Sequence, residues 1–243
     1  MKAAVYDWLR LGIFTGSRVS EYAQDRLPQG RHWNAIPETQ DAGIWAGWPL
    51  AFVKEDFTFM TGNIMIEPHK VLLLHKQGKI DAVQIRFRFD KSPRNFEKRL
   101  FPKSSHKIFC PVDAVVSILQ RAHALGVGQC EPVGVYSAGL SYKYLRSEHV
   151  VRILRAACIG AYPNPNHYLR QHIHRLVSHS VRVTAAVCLQ QGGLDEHEIA
   201  YKLRWAVGSV PKYLRDCWQN VGRLMEITVT SILNRTTHTN VTN

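Results

Sequence analysis

Apolar residues recur with helical spacing over several long stretches of the chain. The pattern predicts helices over residues 3–14 with a continuation to about Leu27, and over 113–125, 147–161, 179–192, 194–205 and 210–225. Asp113 and Ser147 stand at two of these predicted starts, where an acceptor or a negative charge stabilises the first turn. Gly126 follows the second helix, as a glycine often does at a helix end. The second half of the chain is therefore expected to be mainly helical.

Between the first predicted helix and the later ones, apolar residues recur with the shorter period of a β-strand. Residues 83–89 alternate apolar side chains with polar or basic ones, and residues 98–101 return as a partner strand after a turn. Residues 71–74 form a short apolar run that also fits a strand. The order of a helix, a small sheet and several helices predicts an α+β, mainly helical domain with a small antiparallel sheet.

Charge adds a preference for anionic partners to this picture. The chain has 243 residues, of which 45% are hydrophobic and 21% charged, a balance typical of globular proteins. Its net charge of +12 suits a phosphate backbone, an anionic membrane or an acidic protein. Arg86 and Arg88 would lie on one face of the predicted strand, which is usually solvated but could also follow a phosphate backbone.

Other features limit the compartment and the cofactors. No apolar run reaches the roughly 18–20 residues of a membrane span, and the N-terminal stretch carries Asp7 and Arg10, unlike a signal peptide. The five cysteines form no CxxC pair, and no acidic cluster has metal-ligand spacing. We therefore expect an intracellular protein without a membrane partner, a metal or a small-molecule cofactor.

His179 and Arg182 are the first candidates for chemistry. Their i, i+3 spacing places an imidazole and a guanidinium on one face at the start of a predicted helix. Arginine offers a planar, permanently charged fork to a phosphate, and histidine exchanges a proton near neutral pH. The pattern is short, and an ordinary surface pair on a basic protein also explains it.

Two further segments give this pair a context. Residues 15–21 read TGSRVSE and place Arg18 after a glycine, and residues 202–216 read KLRWAVGSVPKYLRD. Together with HSVRVTAAVCLQQGG at residues 179–193, these segments resemble the catalytic boxes of tyrosine recombinases (the phage-integrase family), and the HSVRVTAA form is similar to Cre-like members. The order and separation of the three boxes agree over roughly residues 3–220.

The resemblance implies a role for each matching residue. Arg18 and Arg182 would bind the non-bridging oxygens of the scissile phosphate, and His179 would act as acid or base beside the nucleophile. Trp205 would buttress the site and Tyr213 would be the nucleophile. Lys91, near the end of the predicted strand, would protonate the leaving 5′ oxygen. Lys76, Lys79 and Lys98 lie in the same region and are the alternatives for this role.

The chemistry is coherent without the family. Two arginines and a cationic histidine or lysine stabilise a phosphodiester transition state without a metal, and tyrosine is a workable covalent nucleophile. We therefore expect site-specific DNA recombination of the integrase or transposase kind, through a phosphotyrosine intermediate that requires no cofactor. The expected partner is double-stranded DNA, with a possible homotetramer on it, and the expected location is intracellular and DNA-associated.

Domain organisation and the alternatives complete the expectation. Residues 1–226 would form the catalytic domain and residues 227–243 a C-terminal tail, with the family's N-terminal core-binding domain absent. The main alternative is a non-catalytic DNA-binding or architectural protein derived from an integrase. The observation that supports this alternative is the separation of Trp205 and Tyr213, which is one residue shorter than we expect in Cre-like members. A type IB topoisomerase would share the chemistry, and a basic protein that binds a protein or a membrane is the remaining alternative.

Overall fold

Helices and small antiparallel sheets make up the regular structure in the computed structural model, which describes residues 1–24, 49–88 and 96–214. The helices are α1 (Lys2–Thr15), α2 (Val19–Tyr22), α3 (Val71–Lys76), α4 (Pro111–Ala124), α5 (Ser147–Ala161), α6 (Tyr168–Gln171), α7 (Ser180–Gln191), α8 (Glu196–Leu203) and α9 (Pro211–Leu214). The strands are β1 (Phe57–Thr61), β2 (Ile64–Met65), β3 (Ala82–Phe87), β4 (Glu97–Pro102), β5 (Val135–Ala138) and β6 (Ser141–Tyr144). The α+β class with a small antiparallel sheet is confirmed.

The chain forms two compact units, Met1–Arg182 and Val183–Asn243. The first unit contains both sheets and a core in which α1 packs on α4 and the larger sheet. Trp8 of α1 stacks on Phe52 at 5.9 Å between ring centroids, near the middle of this core. The described part of the second unit has its own core, to which α7, α8 and α9 contribute. The predicted tail, residues 227–243, lies outside the described residues.

The larger sheet has the strand order β2-β1-β3-β4, and all its pairs are antiparallel. Val83, Ile85 and Phe87 of β3 are buried, while Gln84 and Arg86 between them are only partly buried, as the alternating pattern predicted. Val83 pairs with Phe101 and Ile85 with Arg99, so β3 and β4 form the predicted hairpin. Its turn, which carries Lys91, lies outside the described residues.

Residues 71–74 form part of α3, so their prediction as a strand was wrong. A run of four apolar residues cannot distinguish a strand from a helix, because it shows neither period completely. Pro68 opens a 3-10 turn that leads directly into α3. Val71 is buried, whereas Leu72 and Leu73 are 41% and 59% exposed, which is the one-sided burial of a surface helix.

The predicted continuation of the first helix to about Leu27 was also wrong. Gly16 adopts the left-handed conformation (φ 57°) and donates its N–H to the Gly12 carbonyl, which ends α1. Arg18 is extended (φ −73°, ψ 151°) and α2 begins after it. The glycine therefore separates two helices and turns the chain at the arginine.

The smaller sheet, the β5–β6 hairpin, was not predicted from the sequence. Gly134 precedes it at a place where a Cβ atom would lie 2.0 Å from the Tyr22 carbonyl oxygen. The hairpin end is tied to the segment after α2, because Leu145 donates to the Gly134 carbonyl and Gln24 donates to the Leu145 carbonyl, both at 2.7 Å. Only glycine permits this close approach of the two segments.

Candidate active site

Arg18 lies in a turn that its neighbours hold in one conformation. The Thr15 and Ser17 hydroxyl oxygens are 2.7 Å apart, and the Thr15 hydroxyl also donates to the Leu11 carbonyl at 3.0 Å. The Arg18 backbone N–H donates to the Glu21 carboxylate at 2.6 Å, and Glu21 itself is buried. Glu21 therefore orients the Arg18 backbone. The half-buried Arg18 side chain therefore extends from a backbone that is held in place.

Arg182 reaches this same turn from the start of α7. Its Nη1 donates to the Gly16 carbonyl at 2.5 Å, and the residue is 6% exposed. The two segments approach closely, since a Cβ atom on Gly12 of α1 would lie only 3.0 Å from Val181 Cγ1. The structure thus brings Arg182 to the backbone two residues before Arg18.

The positive charges of both arginines act on His179. Desolvation lowers the pKa of His179 from its usual 6.5, and the positive charges of Arg182 and Arg18 lower it further. The side chain nevertheless stays accessible to solvent. Ser178, beside it, contacts Ser147 at the start of α5 through a 3.1 Å hydroxyl contact. The first unit therefore gathers two guanidiniums and a largely neutral imidazole, a set suited to binding a phosphate and accepting a proton.

Trp205 and Tyr213 come together in the second unit. Their ring centroids are 4.6 Å apart with the planes tilted by 50°. Trp205 is 3% exposed and follows the left-handed Arg204 (φ 60°) that ends α8. Tyr213 lies in α9 and is half-buried, so its ring packs on the indole. The short Trp–Tyr separation is thus compatible with direct contact of the two rings.

The lysine predicted to complete the site is not located. Lys91 lies outside the described residues. Of the alternatives, Lys98 is on β4 opposite Arg86, and Lys76 is the last residue of α3 rather than part of the sheet. The choice of Lys91 stays a prediction.

Arg86 and Arg88 do not form the solvated basic face suggested by the strand pattern. Both donate to the carboxylate of Asp56, Arg86 Nε to Oδ1 at 2.9 Å and Arg88 Nε to Oδ2 at 2.5 Å. The side chains of Arg88 and Asp56 are fully buried. No sequence signal marks this contact, because Asp56 lies some 30 residues before its partners. Arg88 therefore belongs to the interior of the protein, and the partly exposed Arg86 is held by the same carboxylate.

Comparison with known proteins identified no relative of this chain. No protein-family model, no curated protein and no solved structure matches the chain. Within residues 1–24, 49–88 and 96–214, no helix is both long and apolar enough to cross a bilayer. The same residues contain no group of three or more histidine, cysteine or acidic side chains placed to hold a metal ion.

Proposed function

We propose that this chain is a DNA strand transferase of the tyrosine recombinase kind, which cleaves and rejoins strands in site-specific recombination. The observation that supports this most is the cluster of Arg18, His179 and Arg182. Residues more than 160 positions apart meet there, and they have the chemistry required to bind a phosphodiester. The net charge of +12 favours a nucleic-acid partner.

In the proposed reaction the Tyr213 oxygen attacks the scissile phosphorus and the bond from phosphorus to the 5′ oxygen breaks. The tyrosine proton passes to His179, whose lowered pKa leaves the imidazole free to accept it. Arg18 and Arg182 neutralise the charge on the non-bridging oxygens, and Lys91 donates a proton to the departing 5′ oxygen. Rejoining reverses these steps, so the bond energy is conserved in the phosphotyrosine.

A covalent-adduct assay tests the proposal without a known target site. The protein is incubated with a random-sequence duplex pool and denatured in detergent, and DNA that stays attached is counted and sequenced. Tyr213→Phe should abolish attachment, because phenylalanine has no nucleophilic oxygen. Tyr201→Phe is the matched control, since this tyrosine is 65% exposed on α8, and it should leave attachment unchanged. Attachment that persists in Tyr213→Phe contradicts the assignment of the nucleophile.

The role of Lys91 has its own test. In a pool whose bridging 5′ oxygens are replaced by sulfur, the leaving thiolate requires no proton. Lys91→Ala should fail to attach ordinary DNA but should attach the sulfur-containing pool. The same pool should not rescue Tyr213→Phe. If Lys91→Ala attaches ordinary DNA normally, another group is the acid, and Lys98→Ala is the next variant.

A non-catalytic DNA-binding protein is the second candidate, and the short Trp205–Tyr213 separation favours it. Both candidates predict DNA binding that weakens steeply with salt, because lysine and arginine displace counterions from the duplex. Only the enzyme predicts detergent-resistant attachment. Salt-sensitive binding by both wild type and Tyr213→Phe, with attachment by neither, would favour the binding protein.

A further inference from the structure

A cavity of about 410 Å³ lies beside the β5–β6 hairpin, and its lining includes none of the residues proposed for catalysis. Three tyrosines line it, Tyr136, Tyr142 and Tyr144. Its charged side consists of Lys143 and Arg146, and Gln24 and His149 complete the lining. This size falls within the range of small-molecule sites, and the mixture of aromatic and cationic groups is that of a site for an aromatic anion.

Gln24 is the feature that most clearly requires a ligand. The residue is 3% exposed, and neither its amide nitrogen nor its amide oxygen has a hydrogen-bond partner. The backbone N–H of Gln24 does not serve as a partner for the side-chain amide, because it is bound to the Leu145 carbonyl. A buried carboxamide without partners is costly and rare in folded proteins. A donor–acceptor pair on a bound molecule would satisfy both atoms at once.

The aromatic wall is fixed by hydrogen bonds. Tyr144 donates to the Tyr142 hydroxyl, and Tyr142 donates to the Glu131 carboxylate at 2.9 Å. Burial and the bond to Glu131 raise the pKa of Tyr142, and burial and the bond to Tyr142 raise the pKa of Tyr144. Tyr136 meets the His149 ring edge-on at 5.3 Å between centroids. Rings held in place in this way offer preformed surfaces for stacking a planar base.

The cationic side is suited to a phosphate. Lys143 is exposed on β6, and Arg146 directly precedes α5. Arg146 also donates to Glu148 at 3.2 Å, but this exposed pair is weak and leaves the guanidinium able to bind a stronger anion. Lysine and arginine are the usual binders of phosphate oxygens.

We propose that this cavity binds an adenine nucleotide, with the base against the tyrosines, its edge on Gln24, and the phosphate on Lys143 and Arg146. A carboxamide pairs with the adjacent donor and acceptor of adenine, N6 and N7, through two hydrogen bonds. A sugar phosphate would leave the aromatic wall unused, and an uncharged aromatic molecule would leave the cations unused. The nucleotide is either free or part of a single strand. The inference does not depend on strand cleavage.

Calorimetric titration of the full chain with AMP tests the proposal, with adenosine and inorganic phosphate as the partial ligands. We expect saturable binding of one AMP per chain, at least about tenfold tighter than that of either partial ligand. A short oligo(dA) in a parallel titration identifies the source: tighter binding than AMP indicates a nucleotide within a strand, and weaker binding indicates a free nucleotide. Absence of saturable binding by both AMP and oligo(dA) overturns the proposal.

Two variants locate the binding. Gln24→Leu should weaken AMP binding at least about tenfold while raising the melting temperature of the ligand-free protein, because it removes an unsatisfied buried amide. Lys143→Gln should weaken AMP binding, whereas Lys107→Gln, an exposed control outside the cavity, should not. Tyr213→Phe should bind AMP normally, which separates this proposal from the proposed catalysis. Equal affinity in wild type, Gln24→Leu and Lys143→Gln would contradict the site.

Discussion

Two arginine clusters in the first unit contain the same kind of side chain with different contacts. In the sheet cluster, Arg86 and Arg88 share the buried carboxylate of Asp56. In the turn cluster, Arg182 donates to a backbone carbonyl, and both Arg182 and Arg18 act as positive charges on His179. Burial therefore does not by itself show which role an arginine has.

The partner of each arginine gives the distinction. A carboxylate at 2.5 Å satisfies the guanidinium and commits it to the fold, as Asp56 does for Arg88. The Gly16 carbonyl fixes the direction of Arg182, whose positive charge acts on His179. After desolvation, the charges of Arg182 and Arg18 lower the pKa of His179, and in the proposed reaction the same charges would attract the phosphate. The comparison predicts activity defects at one cluster and stability defects at the other.

Arg182→Ala should have the largest effect. Removing one fixed positive group from a phosphoryl site should lower the yield of covalent adduct by about 10²–10³-fold. The adduct assay measures this, with Arg175→Ala as the exposed control. Thermal unfolding of both variants shows whether the fold is kept. A folded Arg182→Ala protein with normal adduct yield would place this arginine with the structural ones.

Asp56→Ala should reduce stability instead. It leaves Arg88 buried without its carboxylate, which should cost about 3–5 kcal/mol in the free energy of unfolding measured with denaturant. Adding Arg88→Met should recover much of this loss, because the unpaired charge is removed as well. Glu67→Ala breaks the exposed pair with Lys70 and should change stability little. An equal loss in Asp56→Ala and Glu67→Ala would contradict this role for Asp56.

Gly12→Ala should have an intermediate effect confined to the turn cluster. The added Cβ would lie 3.0 Å from Val181 Cγ1, so the start of α7 must shift by a few tenths of an ångström. We expect about a tenfold drop in adduct yield from this displacement, since phosphoryl transfer depends on positioning. The better helix propensity of alanine should keep stability nearly unchanged. A normal adduct yield in Gly12→Ala would show that the close approach of Gly12 and Val181 does not position Arg182.

The pH dependence of His179 should give the smallest effect. A lowered folded-state pKa means that the unfolded chain binds a proton first as the pH falls below 6.5. The wild type should therefore lose stability relative to His179→Gln over this range, while the two should show a constant difference above it. Melting temperatures against pH measure this, and His197→Gln serves as a control with one exposed imidazole removed. If the difference in melting temperature between wild type and His179→Gln does not change with pH, the lowered pKa of His179 is contradicted.

Local patterns predicted much of the fold. The helix over 147–161 has the predicted bounds, because its amphipathic period is long and uninterrupted. Alternation over residues 83–89 predicted β3 with its bounds one or two residues off, and the predicted partner strand at 98–101 is β4. The run at residues 71–74 was misread because four residues contain too little of either period. The β5–β6 hairpin was missed because its strands have four residues each and Val135 is their only buried residue.

The candidate site was predicted from motifs, but its distinguishing contacts were not. The spacing of His179 and Arg182 follows from helix geometry, whereas the bond from Arg182 to Gly16 spans 166 residues and has no local signal. The same limitation made Arg86 and Arg88 look solvated, since Asp56 lies far from them in the chain. Gln24 gave no indication either, because an unsatisfied amide is visible only in the folded protein.

Mass spectrometry of the covalent adduct tests the central claim most directly. Digestion of protein trapped on the random duplex pool should yield the peptide containing Tyr213 with a nucleotide attached to its phenol oxygen. No such peptide should form in Arg182→Ala, although that protein should still bind DNA at low salt. A nucleotide attached to a different residue, or DNA binding without any attached peptide in the wild type, would contradict the account.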